Sequence, residues 1–359
     1  MQLINSSSVP TDFDIIAKLP DGSRAIIFTA KATFNIQENG QVKLERDNPL
    51  PLLKQDEETG LGILPGDASL RLDPAFEVIM LGQAHASEGQ ATTEMKVSLG
   101  VGDEYRELDV SGDRQWRGEG EGASLSAAEK FKSMPLTWDR AFGGTQQVEI
   151  DREAYLDVSW PYNTMGKGFD HISQARELGV AFSSPDPYPR FEAIRELPNI
   201  ESPDERVQRW GDTPLPVCWA TVPQSSGLLL ERFKRSCESS GKDHVLLGAP
   251  EMNHRAHPDW VIETPPAGAS VRLDGACKAG RIDFRIPEMR VVAELKDGRR
   301  VQKIELHPRS MVLLPEEMRF YLTFKAVRNY ESRDGETRKA RIKVLKGWHP
   351  QPVASGGRS

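Results

Sequence analysis

The chain has 359 residues, of which 38% are hydrophobic and 28% are charged, so it can bury one large core or two modest ones. The formal net charge of −7 argues against a nucleic-acid-binding surface, which needs clustered Lys and Arg. The C-terminal stretch is locally basic, but acidic residues interrupt it, a pattern typical of a solvated strand face or tail. Its cations are Arg333, Arg338, Lys339, Arg341, Lys343 and Lys346.

Targeting signals and cysteine usage indicate the compartment. The first eight residues lack the basic and apolar regions of a signal peptide, and no apolar stretch is long enough to span a membrane. The three cysteines, Cys218, Cys237 and Cys277, are far apart and odd in number, which favours a reducing compartment. We therefore expect a soluble cytoplasmic protein with no membrane partner.

The first third of the chain has the alternating pattern of β-strands. Residues 24–36 carry apolar side chains at every second position, which predicts a half-buried strand, and an Asn39-Gly40 turn follows it. A Pro-rich acidic loop then runs to residue 74. Further strands are predicted at 41–44, 76–86, 94–101 and 105–110, with the last two forming a hairpin.

Loop-forming residues dominate from 111 to 223. Residues 111–169 hold three of the seven tryptophans among glycines, prolines and Asp-Arg pairs, which indicates an ordered, irregular segment that is not a spacer. The spacing of Ser126 and Glu129 suits a capping box and predicts a short helix ending before Pro135. Two more short helices are predicted at 170–178 and 226–237.

The strand pattern returns in the last third. Short apolar segments follow one another at close spacing with turn residues between them, which predicts a mainly β fold: an antiparallel sandwich or partly open barrel with long ordered loops and a few short helices. The predicted strands are 245–247, 259–263, 269–273, 281–286, 290–295, 301–306, 311–314, 319–327 and 337–345. Residues 350–359 are expected to form a loose tail.

The domain prediction follows from these elements. Residues 1–330 are expected to form a single domain. The pattern also allows two β subdomains, at about 1–145 and 215–330, joined by the loop-rich segment 111–223. Residues 331–359 then supply a terminal strand and the tail.

Histidines are the first candidates for chemistry. The tightest cluster is His244, His254 and His257, with Asp259 close behind, and a catalytic metal site commonly uses three such ligands. The spacing of His254 and His257 beside Pro258, however, fits neither a helical pair nor a usual zinc pattern. A polar surface loop is the favoured interpretation, and a metal-dependent enzyme is the alternative. We expect no metal and no cofactor.

Carboxylates are the second candidates. Asp113 and Asp139 lie in the irregular segment, and a glycosidase needs only two acids that face each other across a cleft. Each is followed by an arginine, Arg114 or Arg140, so ion pairs or loop-fixing hydrogen bonds are the favoured interpretation. A carbohydrate-active enzyme or sugar-binding module that uses both acids and a tryptophan platform stays the alternative.

The aromatic residues of this segment have two interpretations. They could pack in the core, which their spacing favours, or line a face that binds sugar or protein, because Trp and Tyr are common at interface hot spots. They are Trp116, Trp138, Phe142, Trp160, Tyr162 and Phe169.

Four motifs in order carry a family resemblance. They read G-D-R-x-W from residue 112, M-P-L-x-W-D-R-A-F-G-G from 134, Y-N-x-x-G-x-G-F from 162 and L-P-N-I-E-x-P from 197. This series resembles the bacterial domain-of-unknown-function family 2169, from near the first strand to about residue 327. The residues expected to define the fold are Gly112, Asp113, Arg114, Trp116, Pro135, Asp139, Arg140, Gly143, Gly144, Asn163, Gly166, Gly168, Pro198, Asn199 and Glu201.

The resemblance implies a non-enzymatic role. Members of that family are typically encoded beside type VI secretion spike proteins of the VgrG type and toxic effectors, and act as cytoplasmic adaptors or chaperones that load the effector onto the spike. We therefore expect a secreted toxin, bound through its N-terminal region, and a VgrG spike protein as partners. Trp138, Phe142, Trp160 and Phe169 are the residues predicted to contact a partner. Residues 211–250 depart from the family pattern, which indicates a segment where partner specificity varies.

Overall fold

Strands make up most of the regular structure in the computed structural model, which describes residues 2–16, 25–67, 75–118, 122–151, 154–170, 196–229, 254–265, 267–297, 300–329 and 339–345. Within these residues the strands are β1 Gln2–Asn5, β2 Thr11–Ile16, β3 Ala25–Ile36, β4 Val42–Leu44, β5 Glu57–Thr59, β6 Gly62–Leu64, β7 Phe76–Met80, β8 Gln83–His85, β9 Glu94–Val101, β10 Glu104–Ser111, β11 Trp116–Arg117, β12 Ser124–Leu125, β13 Ser133–Pro135, β14 Phe142–Gly143, β15 Thr145–Asp151, β16 Ala154–Ser159, β17 Lys167–Gly168, β18 Ile200–Glu201, β19 Val261–Ile262, β20 Ser270–Asp274, β21 Arg281–Arg285, β22 Arg290–Asp297, β23 Arg300–Leu314, β24 Arg319–Asn329 and β25 Lys339–Leu345. Short 3₁₀ turns lie at Ser87–Gly89, Trp138–Arg140, Pro258–Trp260 and Pro315–Glu317. The mainly β prediction is confirmed.

The largest sheet has ten strands and is nearly closed. Its main path runs β1-β25-β22-β23-β24-β3-β2, with β4 beside β3, and with β7 between β23 and β19. The two end strands of this path, β1 and β2, are consecutive in the chain and joined by only a short connection, so the sheet must curl until its edges approach each other. Of the two predicted architectures, the partly open barrel is the one adopted, although β1–β25 and β7–β23 pair in parallel.

A second sheet of five strands, in the order β18-β10-β9-β20-β21, packs on the barrel. Its inner face is apolar because alternate residues of β20 and β21 are buried, and Phe284 stacks on Phe320 of the barrel with ring centroids 4.7 Å apart. The buried residues of both sheets form one continuous core.

The strands do not separate along the subdomain bounds of the sequence prediction. In the second sheet β9 pairs with β20, and in the barrel β3 pairs with β24 and β7 with β23, so early and late strands are neighbours in both sheets. The predicted terminal strand is likewise an integral strand of the barrel sheet, because β25 is paired with both β1 and β22. The predicted tail lies outside the described residues, as does the strand predicted at 245–247.

The first long strand, β3, is buried on both faces, so the half-buried prediction was wrong. Its second face carries Thr29, Lys31 and Thr33, which are buried, and the loop after β4 bonds to Lys31 and Thr33. Lys31 Nζ lies 2.6 Å from the Asp67 carboxylate and donates to the Pro51 carbonyl at 2.9 Å. Burial lowers the pKa of Lys31, while Asp67 opposes this effect. A period of two residues cannot reveal a loop that folds over the polar side of a strand.

Two other local predictions differ from the structure. Residues 301–306 and 311–314 belong to one strand, β23, which continues through a register shift between Pro308 and Ser310. The helix predicted from Ser126 is absent, because that segment is extended and its backbone bonds to Gln115 and Asp113 instead. Residues 227–229 begin a helix, and the remainder of that predicted helix, like the one at 170–178, lies outside the described residues apart from Asp170.

Candidate partner-binding site

Asn199 holds the irregular segment together. Its side-chain amide donates to the Ser111 carbonyl and to the Asp113 carboxylate, both at 3.0 Å, and its Oδ1 accepts from Arg140 at 3.1 Å. Its own backbone N–H donates to the Arg140 carbonyl. The residue is fully buried. One side chain therefore joins the end of β10, the G-D-R motif and the W-D-R-A-F-G-G motif.

Asn163 plays the same role for the glycine motifs. Its amide donates to the Trp138 carbonyl at 2.7 Å and to the Phe142 carbonyl at 3.0 Å. The chain passes so close to it that a Cβ built at Gly143, where φ is +142°, would lie 2.1 Å from the Asn163 carbonyl oxygen. A Cβ at Gly166 would lie 2.5 Å from the Asn163 amide. Glycine is required here by contact distance as well as by backbone angle.

Arg114 and Arg140 form ion pairs, but with carboxylates other than the aspartates that precede them in sequence. Arg114 donates to Glu201 at 2.5 Å and to the Pro198 carbonyl at 3.1 Å, and both charged side chains are buried. Arg140 lies 3.7 Å from Asp113. Each arginine therefore pairs with a carboxylate that is distant in sequence. Asp113 in turn accepts a hydrogen bond from the Asn199 side chain.

The four aromatic residues predicted to contact a partner are interior. Trp138, Phe142, Trp160 and Phe169 are at most 6% exposed. Trp160 packs edge-on against Phe142, with centroids 5.6 Å apart, and tilts over Phe169 at 5.4 Å. The Trp138 indole donates to the Ala220 carbonyl at 3.2 Å. In this conformation they cannot form a contact surface, because their area is already buried in the loop assembly and core.

The remaining motif residues also hold the loops. A Cβ at Gly112 would lie 1.8 Å from a backbone oxygen of Glu129, and Gly144 and Gly168 have positive φ. Pro135 lies on β13, which pairs with β8, and Trp116 is buried beside Trp210.

The two candidate acids have different surroundings. The hydrogen bond from Asn199, together with the charge of Lys167, lowers the pKa of Asp113. A general acid in a glycosidase needs the opposite shift. Asp139 lies exposed on the 3₁₀ turn. The tryptophans that would form a sugar platform are buried, so they do not share a surface with the two aspartates.

The two histidines are buried, so the polar surface loop predicted for them is wrong. His254 Nδ1 lies 3.2 Å from the Glu77 carboxylate. His257 lies against the Trp138 ring and accepts from the Asp259 backbone, and burial lowers its pKa. Among the described residues, no group of three or more His, Cys, Asp or Glu could hold a metal ion.

An apolar groove opens on the surface beside the β5–β6 hairpin. Its floor is formed by five leucines from the loop after β4, the hairpin, the end of β7 and the end of β23: Leu50, Leu61, Leu64, Leu81 and Leu314. Thr59, Gly60, Glu316 and Glu317 form its rim. Its cavity volume is about 240 Å³. Its apolar floor suits apolar side chains of a ligand or partner.

Sequence reasoning missed this groove. Three of its leucines lie in the segment that was interpreted as a Pro-rich acidic loop, and the only signal was that such a loop carries so many leucines. Gly62 explains why the hairpin lies close to the core, because a Cβ there would be 3.3 Å from Leu81. Exposed carboxylates, Glu57 and Glu58, lie on β5 next to the groove.

The fold and site define a mainly β protein in which an ordered loop assembly packs on a barrel-like sheet, with an apolar groove at the surface. The model of the bacterial family described as "Uncharacterized protein conserved in bacteria (DUF2169)" matches residues 21–325. The chain belongs to this family, as its motifs indicate. Comparison with curated proteins and with solved structures found no match. No helix within the described ranges is long and apolar enough to cross a membrane.

Proposed function

We propose that this protein is a cytoplasmic adaptor that binds a toxic effector through the effector's N-terminal region and promotes its loading onto a VgrG-type spike of a type VI secretion system. Family membership and the implied role of similar chains support the proposal. The observation that carries it is the leucine-floored groove, because an open apolar groove lined by buried and half-buried leucines is a common form of site for side chains of a partner.

The groove also indicates the chemistry of its occupant. Leucine side chains on its floor favour apolar side chains in the bound segment. The rim carboxylates of Glu316 and Glu317 already pair with His85 and Arg319, but Glu57 and Glu58 are exposed on the adjoining strand. A segment with apolar residues flanked by Lys or Arg would therefore be complementary.

The core supplies rigidity in this proposal. Leu81 and Leu314 of the groove floor are buried in the hydrophobic core, so this part of the groove loses little conformational entropy on binding. The protein presents a formed surface to a segment that orders when it binds.

An affinity pull-down from the native host tests the partners. We expect the tagged protein to recover a toxin and a VgrG-type spike protein, identified by mass spectrometry. Recovery of neither protein from cells that express both would refute the adaptor function.

Gly60 allows a sharper test of the groove. A Cβ at Gly60 meets no atom within 4 Å, so Gly60→Trp places a large side chain at the rim without disturbing the fold. We expect recovery of the toxin to fall by roughly tenfold, as for loss of a hot spot. Gly122→Trp is the matched control, because Gly122 has the same open surroundings away from the groove. Equal loss in both variants, or in neither, would contradict a role for the groove.

A further inference from the structure

The outward side of β22, β23 and β25 gathers basic residues from three separate parts of the chain. In the sheet register Lys339 lies directly opposite Lys296, and Glu294 lies between Arg341 and Lys303. Inward-facing neighbours such as Ala293, Ile304 and Ile342 are buried, which confirms that the charged residues share the outer side. We define the basic face as Lys296, Lys303, Lys339 and Arg341.

The described carboxylates of the basic face are already paired with other cations. Among the residues that the structure describes, Glu294 is its only central acid, and it pairs with Lys343 at 2.7 Å. Glu305, at the border, pairs with Arg290 at 3.1 Å. The four cations of the basic face are exposed, and none of them forms an ion pair in the part of the chain that the structure describes.

Three neighbouring cations act electrostatically on Glu294. The pKa of Glu294 is lowered by its hydrogen bond with Lys343, and the charges of Lys303 and Arg341 add to this effect. Neighbouring strands lie roughly 4.8 Å apart, so Lys303 and Arg341 are roughly 10 Å apart across Glu294. The face is therefore a compact concentration of positive charge on a chain whose formal net charge is −7.

Protection of a sheet edge does not account for these lysines. Natural proteins place Lys on edge strands to prevent unwanted pairing, but β25 lies between β1 and β22, and β22 lies between β25 and β23. Fold stability can account for Lys303 and Arg341 in part, because Glu294 lies directly opposite each of them. It does not account for Lys296 and Lys339, because like charges directly opposite each other are destabilising.

We propose that the basic face binds an acidic segment of a partner protein, with carboxylates on one side of an extended strand. Residues two apart in a strand are roughly 6.6 Å apart, so alternate carboxylates of such a segment match the two rows formed by Lys296 with Lys339 and by Lys303 with Arg341. Nucleic acid fits less well, because Glu294 and Glu305 interrupt the face and the whole chain is acidic. The inference goes beyond the proposed function, since it does not depend on the groove or on the identity of the partner.

Fluorescence anisotropy with a labelled octaglutamate peptide tests the proposal on the full chain. We expect the peptide to bind, with an affinity that falls as salt is added. In Lys339→Glu the affinity should fall roughly tenfold, because the substitution removes an attraction and adds a repulsion. The thermal unfolding midpoint should stay equal or rise, because a carboxylate then lies opposite Lys296.

Lys132→Glu is the matched control. Lys132 is an exposed lysine outside the basic face, so its reversal changes net charge equally, and we expect it to leave peptide affinity nearly unchanged. The proposal is overturned if both variants lose affinity equally, if Lys339→Glu binds like the native protein, or if the peptide does not bind. It is also overturned if single-stranded DNA of the same length binds more tightly than the peptide and loses that binding in Lys339→Glu.

Discussion

Replacing Asn199 by alanine should destabilise the protein by about 3 kcal/mol. The substitution removes three side-chain hydrogen bonds, to the Ser111 carbonyl, to the Asp113 carboxylate and from Arg140. A neutral bond of this kind contributes about 1 kcal/mol and a charged one about 1.5–3 kcal/mol. The sum is reduced because Asp113 and Arg140 are 59% and 28% exposed and regain water.

Urea denaturation followed by circular dichroism measures this effect. Asn48→Ala is the control, because Asn48 is exposed and its side chain makes no hydrogen bond within the described residues, so a change below about 0.5 kcal/mol is expected. If both variants unfold at the same urea concentration, the role assigned to Asn199 is wrong.

The same variant has an expected pH dependence. The pKa of Asp113 is lowered below its ordinary value of 3.8, first by the bond from Asn199, so the folded state favours the carboxylate. The stability from this bond is present above pH 3.8 and is lost as the pH falls through the lowered pKa. The difference in unfolding free energy between native protein and Asn199→Ala should therefore shrink below pH 3.8. A difference that grows on acidification would contradict the assignment.

Three further predictions concern the loops and core. Gly143→Ala should lower the free energy of unfolding by more than about 4 kcal/mol or prevent folding, because its Cβ would lie 2.1 Å from a carbonyl oxygen. In the same denaturation assay Gly60→Ala should be nearly neutral, because its Cβ would meet no atom within 4 Å. Arg114→Met should lower the unfolding free energy by about 3 kcal/mol, because buried Glu201 then keeps only Arg206, 3.8 Å away, as a cation. Adding Glu201→Leu should restore part of the loss, and no recovery would contradict the pairing. Burial raises the pKa of Cys218 to about 12, so peptide mapping should find it unmodified by iodoacetamide at neutral pH until urea unfolds the chain; rapid native labelling would refute this.

Several strands were predicted from sequence almost to the residue. The segment 94–101 is β9 as predicted, and 319–327 lies within β24 Arg319–Asn329. These predictions succeed because the alternation of apolar and polar side chains is a local pattern with a period of two. The capping-box pattern at Ser126 is equally local, yet no helix forms, because backbone bonds to Gln115 and Asp113 hold the segment extended.

The motif residues were recognised in sequence, but their partners were not. Arg114 was assigned to its neighbour and instead pairs with Glu201, which is 87 positions further along the chain. From the sequence, Trp138 and Phe142 fit either the core or a partner-binding surface. Only the residues that surround them in the fold place them in the interior. The leucine groove had no sequence signal beyond apolar residues in a loop, because its walls come from four separate segments.

By itself, the sequence determined the mainly β class, most strand positions and the family, because each of these depends on local side-chain periodicity or on motifs read in order. The tertiary structure alone decided which strands pair, that β3 is buried on both faces, and that the groove and the basic face exist. The physical reason is that a surface is formed by residues that are adjacent in space. Lys296 and Lys339 lie far apart along the chain and become neighbours only through the register of β22 and β25.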